Sequence, residues 1–375
     1  MSFINKLPLS VARALVWPVI LILVQTAEGK DLDTLRAEAE SGDPQAVTAL
    51  ARALYDEGDA ASRNLEEAFE LFKEVARESP DAAYFLGRMY ARGEGTATDT
   101  RDAVRWWKRA ARDGQPRAAN DLAYFHEKGI EVRQDYEDAL EYYRQAARLG
   151  HVPAMARLGF LNEAGLGKNP DLVQAIDWYE QAAGQGYPPS IVDLGRIYWT
   201  GRHDKEAEPA YDRAVAYFKK GTELDNALSQ HHLGLAYRDG KGVEADTEKA
   251  LRYFNQAAEQ ELPAAANVLG TIYLEGRHGV TVDKRKALEY YRIASQDVAF
   301  AANLKEAVFL LELEFGDAAK VIAEVERAAT EDRDFDSALL LNRIYSEGLG
   351  LPRDPEKARK WGLLVDEIIM EQIGM

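Results

Sequence analysis

Few residues of the chain stand at a spacing that could do chemistry. The six histidines are scattered, and no two have the His-x3-His spacing that places metal ligands on one helix face. They are His126, His151, His203, His231, His232 and His278. The chain has no cysteine and no Gly-x-Ser-x-Gly motif, which excludes a thiol nucleophile, disulfides and a serine-hydrolase elbow.

Three loops resemble ligand-binding motifs but lack essential positions. Asp332–Ser337 begins like a calcium loop, but its sixth position is not glycine and Arg343 stands where the twelfth requires glutamate. Gly165–Lys168 and Gly240–Gly242 resemble phosphate loops without the full spacing or the following serine or threonine. We therefore predict no metal site, no cofactor and no enzymatic activity.

The glycines of these turns belong to a regular repeat. Glycine recurs mostly at steps of 36 residues, and in several repeats a tyrosine stands three positions before it. The matching glycines are Gly58, Gly93, Gly129, Gly165, Gly201, Gly240, Gly276 and Gly348. The last step is 72 residues, which indicates one degenerate repeat within it. A fixed period of this length predicts a stack of helical repeats.

Each repeat contains two apolar patterns of helical period. In the second repeat the first pattern ends at Gly93, which can adopt the left-handed conformation of a helix end. Asp99 then precedes the second pattern as its expected N-cap. The same capping position holds Asn64, Asp135, Asp171, Asp246, Asp283 and Asp354. The second helix carries an aromatic pair, such as Trp106-Trp107, which we expect to fill the gap between repeats.

A leucine–glycine pair marks most of the first helices. It occurs at Leu86-Gly87, Leu158-Gly159, Leu194-Gly195, Leu233-Gly234 and Leu269-Gly270. With the tyrosine, the turn glycines, the capping aspartate and the aromatic pair, it makes residues 43–365 resemble the Sel-one-like repeat (SLR) family, a relative of the tetratricopeptide repeats. The resemblance implies an all-α fold, a right-handed superhelical α/α solenoid of about eight to nine helix-turn-helix repeats.

The repeat also defines the expected domain organisation. Residues 30–375 form the solenoid, with a degenerate repeat at about 297–331 and a C-terminal capping helix at about 355–372. The end of that helix, residues 368–370, could instead dock a partner. The family tyrosine is replaced by His126 and Asn162, and extra residues lie around positions 202–209.

Residues 1–29 have the pattern of a signal peptide or N-terminal anchor. Lys6 and Arg13 precede an apolar run at 14–24, which is shorter than the roughly 20 residues of a membrane span. We expect a periplasmic or secreted protein, with anchoring to the inner membrane by residues 11–24 as the alternative. Membrane contact is expected only if this segment stays uncleaved.

The charge of the chain limits its partners. The formal net charge is −17, with acidic and basic residues interspersed. A nucleic-acid partner would require a basic face, so we predict none. The charge is most simply that of a solvated solenoid surface, although it would also suit a basic partner.

Function should therefore lie on a surface, and the concave groove lined by the first helices is the candidate. The expected groove positions lie two before, two after and five after the repeated leucine, and their residues vary between repeats. They give a partner-binding set of Tyr84, Arg88, Asn120, Tyr124, Phe160, Arg196, Trp199, His231, Arg238 and Asn267. Tyrosine, tryptophan and arginine are frequent interface anchors.

Two functions remain open. The resemblance implies a non-enzymatic scaffold or regulator of the bacterial cell envelope, within an exopolysaccharide or signalling complex, which binds protein partners. The alternative is a solenoid that binds carbohydrate or peptidoglycan, with aromatic side chains stacked on sugar rings.

Overall fold

The structure is a computed structural model that describes residues 31–56, 64–202, 208–297, 299, 307–308, 310–312, 314 and 318–372. The chain divides into two compact halves, one ending at Ser190 and the other starting at Ile191. Every regular element among the described residues is helical, and helices follow one another as helix-turn-helix pairs.

The N-terminal half contains nine described helices before the boundary region. They are α1 (Leu32–Ala39), α2 (Pro44–Asp56), α3 (Leu65–Val75), α4 (Pro80–Arg92), α5 (Thr100–Arg112), α6 (Pro116–Lys128), α7 (Tyr136–Arg148), α8 (Val152–Ala164) and α9 (Leu172–Gly184). From α2 onward, even-numbered helices are the first of a repeat and odd-numbered helices the second. One continuous apolar core runs from Leu35 to Ala182.

The same alternation continues after α10, which spans the boundary, as far as α15, whereas α17 is the first and α18 the second helix of the last repeat. The described helices are α10 (Pro188–Trp199), α11 (Tyr211–Glu223), α12 (Ala227–Asp239), α13 (Thr247–Glu259), α14 (Pro263–Glu275), α15 (Lys284–Ala294), α16 (Ala318–Thr330), α17 (Phe335–Arg343) and α18 (Pro355–Gln372). A π-helical turn, Ile344–Gly348, follows α17. The apolar clusters of this half run from Ala250 to Leu311 and from Leu310 to Ile368.

The helix ends form as the sequence predicts. The carboxylate of Asp99 accepts a hydrogen bond of 2.9 Å from the Asp102 N–H and so caps α5. Equivalent caps are made by Asn64, Asp135, Asp171, Asp246, Asp283 and Asp354. Gly93 ends α4 with φ of 68°, a conformation that a Cβ would strain, and its N–H bonds to the Met89 carbonyl.

The glycine of each leucine–glycine pair is where the two helices of a repeat meet. A Cβ placed on Gly159 in α8 would lie 2.5 Å from a ring carbon of Tyr179 in α9. The same clash would occur between Gly87 and Trp107, Gly195 and Phe218, Gly234 and Phe254, and Gly270 and Tyr291. The second aromatic of each pair therefore rests directly on the backbone of the first helix.

The two members of an aromatic pair have different roles. Trp107 is buried and its ring centroid lies 5.0 Å from that of Phe125 in the following repeat, so it fills the gap between repeats as predicted. Trp106 is only partly buried. In the C-terminal half the first members stack instead on the family tyrosine of their own repeat, as Tyr217 does on Tyr198 at 5.7 Å. The sequence predicted one role for both members.

Substitution of Gly159 tests the close contact between helices. Gly159→Ala is expected to destabilise the chain by about 1–3 kcal/mol, because its Cβ must push Tyr179 out of a packed site. The control is Gly184→Ala in α9, where a Cβ meets nothing within 4 Å. This control should be neutral or slightly stabilising, since alanine favours a helix more than glycine does. Urea unfolding followed by circular dichroism measures both, and equal stabilities of the two variants would contradict the assignment.

Candidate partner-binding face

The ten residues predicted to bind a partner all lie on first helices. Five are in the N-terminal half, on α4, α6 and α8, and five are on α10, α12 and α14 of the C-terminal half. They differ in exposure and in how their charges are neutralised. The groove that these helices are expected to form stays a prediction.

Arg88, Tyr124 and Phe160 occupy one equivalent position in three successive first helices, two residues after the repeated leucine. We call these three residues the first-helix row. The side chains of Tyr124 and Phe160 are 46% and 42% exposed, which is high for large apolar rings. The Arg157 guanidinium lies 4.4 Å from the centroid of the Phe160 ring. Aromatic rings flanked by a cation in this way are typical anchors of protein interfaces.

Arg88 of this row also belongs to a group of charges. The positive charges of Arg88, Arg92 and Arg117 all act on the carboxylate of Asp121, and we call these four residues the arginine cluster. Burial raises the pKa of Asp121, although the three arginines oppose the shift. Asn120 donates a hydrogen bond of 3.2 Å to Asp121 Oδ1.

The arginine cluster carries surplus positive charge. Among the described residues, neither Arg88 nor Arg117 has a carboxylate within ion-pair distance, and Arg92 reaches Glu94 only at 3.9 Å. Within the described part of the chain, the three cations thus act on Asp121 and have Glu94 as a second, more distant carboxylate, in a chain whose net charge is −17. A partner that carries carboxylates would neutralise this surplus.

Tyr84 lies under the arginine cluster. Its side chain is only 6% exposed, and its carbonyl oxygen accepts a hydrogen bond of 3.1 Å from Trp107 Nε1. Burial raises the pKa of Tyr84, and the Asp121 carboxylate adds to this. Little of Tyr84 is therefore open to a partner, and its ring supports the surface from below.

A buried ion pair next to the first-helix row was not found from the sequence. The side chain of Glu127 in α6 is 2% exposed, and its Oε2 accepts a hydrogen bond of 2.7 Å from Arg157 Nε in α8. A second contact joins Arg157 Nη2 to Glu127 Oε1, and the Tyr143 hydroxyl of α7 donates to Glu127 at 3.1 Å. These bonds fix three helices to one another and hold Arg157 against Phe160.

The pKa of Glu127 reflects this network. Burial would raise it, but hydrogen bonds from Arg157 and Lys128 outweigh burial and hold the pKa below its ordinary value. The carboxylate is therefore charged at neutral pH despite its burial. Its position, five residues after the repeated leucine, was one of the expected groove positions and is the sequence signal that could have pointed to it.

The two candidate arginines of the C-terminal half are neutralised by neighbouring carboxylates. Arg196 Nη2 lies 3.4 Å from Asp193 Oδ1, and Arg238 makes two contacts of 2.6 and 3.0 Å with the carboxylate of Asp239. Both pairs lie within one helix, so these two residues add little net charge to their surface. This is the main difference from the arginine cluster.

The other predicted residues of this half are mainly packed. The Trp199 ring lies 4.9 Å from Tyr211 and 6.1 Å from Phe218. His231 is 8% exposed and its ring lies 5.7 Å from Phe254. Asn267 is partly exposed on α14. Trp199 and His231 thus pack against aromatic rings, whereas no contact with a ring is described for Asn267.

The loops that resembled ligand motifs have structural roles. Asp334 accepts a hydrogen bond of 3.0 Å from the Ser337 N–H and caps α17. A Cβ on Gly167 would lie 2.7 Å from the Cβ of Tyr136, so that glycine is needed for packing.

Two further sequence predictions concern metals and the membrane. Within the described ranges, no group of three or more histidine and carboxylate side chains could hold a metal ion. Nor does any helix of the described chain have the length and apolarity needed to cross a membrane. The apolar run at 14–24 and His203 lie outside the described residues.

This fold and surface define an all-α solenoid built from helix-turn-helix repeats, with candidate binding residues on its first helices. The family model for the Sel1 repeat matches eight segments, at residues 44–78, 80–115, 116–151, 152–187, 188–226, 227–262, 263–297 and 338–363. The chain therefore belongs to the Sel1 repeat family, which confirms the resemblance and the fold class predicted from the sequence. Proteins of this family are generally non-catalytic scaffolds that mediate protein–protein interaction.

Two solved structures are similar to the chain. One is a protective antigen of uropathogenic Escherichia coli with an SLR fold, at 26% identity and a TM-score of 0.64, covering 90% of this chain and 79% of the antigen. The other is a Sel1 repeat protein from Oxalobacter formigenes, at 26% identity and a TM-score of 0.59, covering 67% of this chain and 98% of that protein. No curated protein matches the chain.

The buried histidine pair gives a prediction about pH. Burial lowers the pKa of His231 from 6.5 to about 4, and burial also lowers that of its neighbour His232. Between these pH values the unfolded chain binds more protons than the folded chain, so stability is complete above pH 6.5 and falls as the pH drops towards 4. His231→Gln should flatten this slope in urea unfolding measured across the range. The exposed His278→Gln serves as control, and an unchanged slope in the His231 variant would contradict the prediction.

Proposed function

We propose that the chain is a scaffold whose N-terminal half binds an extended, acidic segment of a partner protein along α4, α6 and α8. The observation that carries the proposal is the arginine cluster, with its surplus positive charge beside the first-helix row. Binding of a protein agrees with the general role of Sel1 repeats.

The geometry of the row supports an extended ligand. Equivalent positions of successive repeats hold the partly buried cation of Arg88 and then the exposed rings of Tyr124 and Phe160. A segment that runs across the first helices could place a carboxylate on the arginine cluster and apolar side chains on the two rings. The Glu127–Arg157 ion pair keeps the last ring in place, so little order has to be gained on binding.

We further propose that the protein is exported to the bacterial cell envelope and acts within a complex there. The basic flank and short apolar run at residues 1–29 support export. The expected result is that chain purified from its native envelope begins near residue 28 or 30, as read by mass spectrometry of the N-terminal peptide. Recovery of the chain from the cytoplasm with its N-terminus intact would contradict export.

The binding proposal predicts a charge-selective interaction. A fluorescein-labelled peptide of alternating glutamate and tyrosine should bind the purified chain, and its lysine–tyrosine counterpart should not, in fluorescence anisotropy at low salt. Arg88→Ala combined with Arg117→Ala should weaken binding about tenfold or more, because two charge-assisted contacts are lost.

The matched control removes the same charge from the other helix of the repeat. Arg101 and Arg105 are exposed on α5, so Arg101→Ala combined with Arg105→Ala should leave the affinity nearly unchanged. Equal losses in the two variants would show a nonspecific charge effect and defeat the proposal. Polygalacturonate tests the alternative that the chain binds carbohydrate. If polygalacturonate binds through Tyr124 and Phe160 and the acidic peptide does not bind, the ligand is a carbohydrate and not a protein segment.

A further inference from the structure

Helix α18 has a second surface that the first helices do not account for. It packs Ala358, Trp361 and Ile368 into the core. On the opposite side it exposes a narrow stripe of side chains. Counted at 100° per residue around the helix axis, these side chains point within about 60° of the direction of Leu363. The stripe consists of Glu356, Arg359, Lys360, Leu363, Asp366, Glu367 and Met370, and Leu363 is 56% and Met370 43% exposed. From the sequence, residues 368–370 could either pack as part of the capping helix or dock a partner. Ile368 is buried, whereas Met370 is exposed.

The charges of this stripe are ordered along the helix. Within about one turn of Leu363, the cations Arg359 and Lys360 lie on its N-terminal side and the anions Asp366 and Glu367 on its C-terminal side. Glu356 lies one turn further towards the N-terminus. The helix dipole favours an anion in the first turn, where Glu356 lies. The four charges that flank Leu363 have the opposite order, with the cations first and the anions last.

These charges are also poorly used inside the chain. Among the described residues, Arg359 and Asp366 have no ion-pair partner. Lys360 Nζ lies 4.3 Å from the centroid of the Trp361 ring, and Glu367 reaches the partly exposed Arg333 only at 3.5 Å. The stripe thus offers two cations on one side of an exposed leucine and two anions on the other, with Glu356 one turn beyond the cations.

We propose that the stripe binds a second copy of this chain, with the two α18 helices packed antiparallel about a two-fold axis at Leu363. The axis brings the cationic part of each helix onto the anionic part of the other. With this symmetry, side chains on the same lateral edge of the two helices face each other. Lys360 therefore meets Glu367 of the partner subunit, and Arg359 meets Asp366 of the partner subunit. An antiparallel pair forms each contact twice.

The apolar residues fit the same arrangement. Leu363 meets its own copy at the axis, at the 8–10 Å separation of packed helices. Leu363 also lines an open groove beside Thr330 at the end of α16, and the helix of the second copy can pack into this groove. A single pair of helices buries less surface than a standard interface, so we expect a weak, reversible dimer with micromolar affinity.

The experiment is analytical ultracentrifugation of the purified chain over roughly 1–200 µM, a range that brackets a weak interface of this size. The wild-type chain should show a monomer–dimer equilibrium that weakens with added salt. Leu363→Asp should raise the dissociation constant about tenfold or more, because it places two charges at the centre of the interface. The control is Val173→Asp on α9, which adds the same charge at another exposed apolar residue, 71% exposed, and should leave the equilibrium unchanged.

Charge reversal tests the antiparallel pairing directly. One variant carries Arg359→Glu and Lys360→Glu, and the other carries Asp366→Lys and Glu367→Lys. Each alone should be monomeric with a native circular dichroism spectrum, whereas an equimolar mixture should form heterodimers, because every facing pair is again opposite in charge. Glu371 also pairs with Arg333, which keeps that arginine satisfied when Glu367 is changed.

Three results would overturn the proposal. The first is a wild-type chain that stays monomeric at the highest concentration. The second is a dimer that persists in Leu363→Asp, which would place the interface elsewhere. The third is a mixture of the two charge variants that does not associate. The acidic-peptide assay is independent of all three, since its residues lie in the N-terminal half.

Discussion

In five of the repeats, a contact between a glycine of the first helix and an aromatic ring of the second holds the two helices together. Because glycine has no Cβ, the ring lies on the helix backbone itself, and the separation of the two helices follows from the thickness of that ring. Gly159 with Tyr179 and Gly195 with Phe218 show the same geometry in different repeats. The third repeat has Ala123 at this position, with a buried tyrosine, Tyr143, on the second helix.

The polar ends of these rings form hydrogen bonds with groups of the first helix. Tyr143 and Tyr179 donate from their hydroxyls to Glu127 and Glu163, at 3.1 and 3.0 Å. Trp107 has no hydroxyl and donates its indole N–H to a backbone carbonyl instead. A buried ring with a polar tip needs such an acceptor. The packing of a repeat therefore decides which carboxylates are held near the first-helix row, and through Glu127 it decides where Arg157 lies.

The sequence predicted those features that depend on near neighbours. Asp99 caps a helix that begins at the next residue, and Gly93 ends one, so a local pattern suffices for both. The period predicted the fold class for the same reason, since each repeat packs mainly against the adjacent ones.

Features that depend on packing between helices were harder to predict. Counting positions around a helix placed Tyr84 on the surface, yet the surrounding side chains bury it. The Glu127–Arg157 pair joins residues 30 positions apart and carries no local signature. Conversely, Asp239 lies directly after Arg238, so its neutralising effect could have been read from the sequence. A prediction that a side chain binds a partner therefore has to consider both the direction in which the side chain points and the charges one to four residues away.

The same reasoning separates the net charge of the chain from the charge that a partner meets. A net charge of −17 would also suit a basic partner, but it describes the chain as a whole and not the surroundings of the arginine cluster. At a binding surface the local balance decides, because interactions beyond about 10 Å are largely screened at physiological salt. Three arginines acting on one aspartate thus favour an acidic segment on an acidic protein. Long-range repulsion would slow the approach of such a segment, and the short-range contacts would select it once bound.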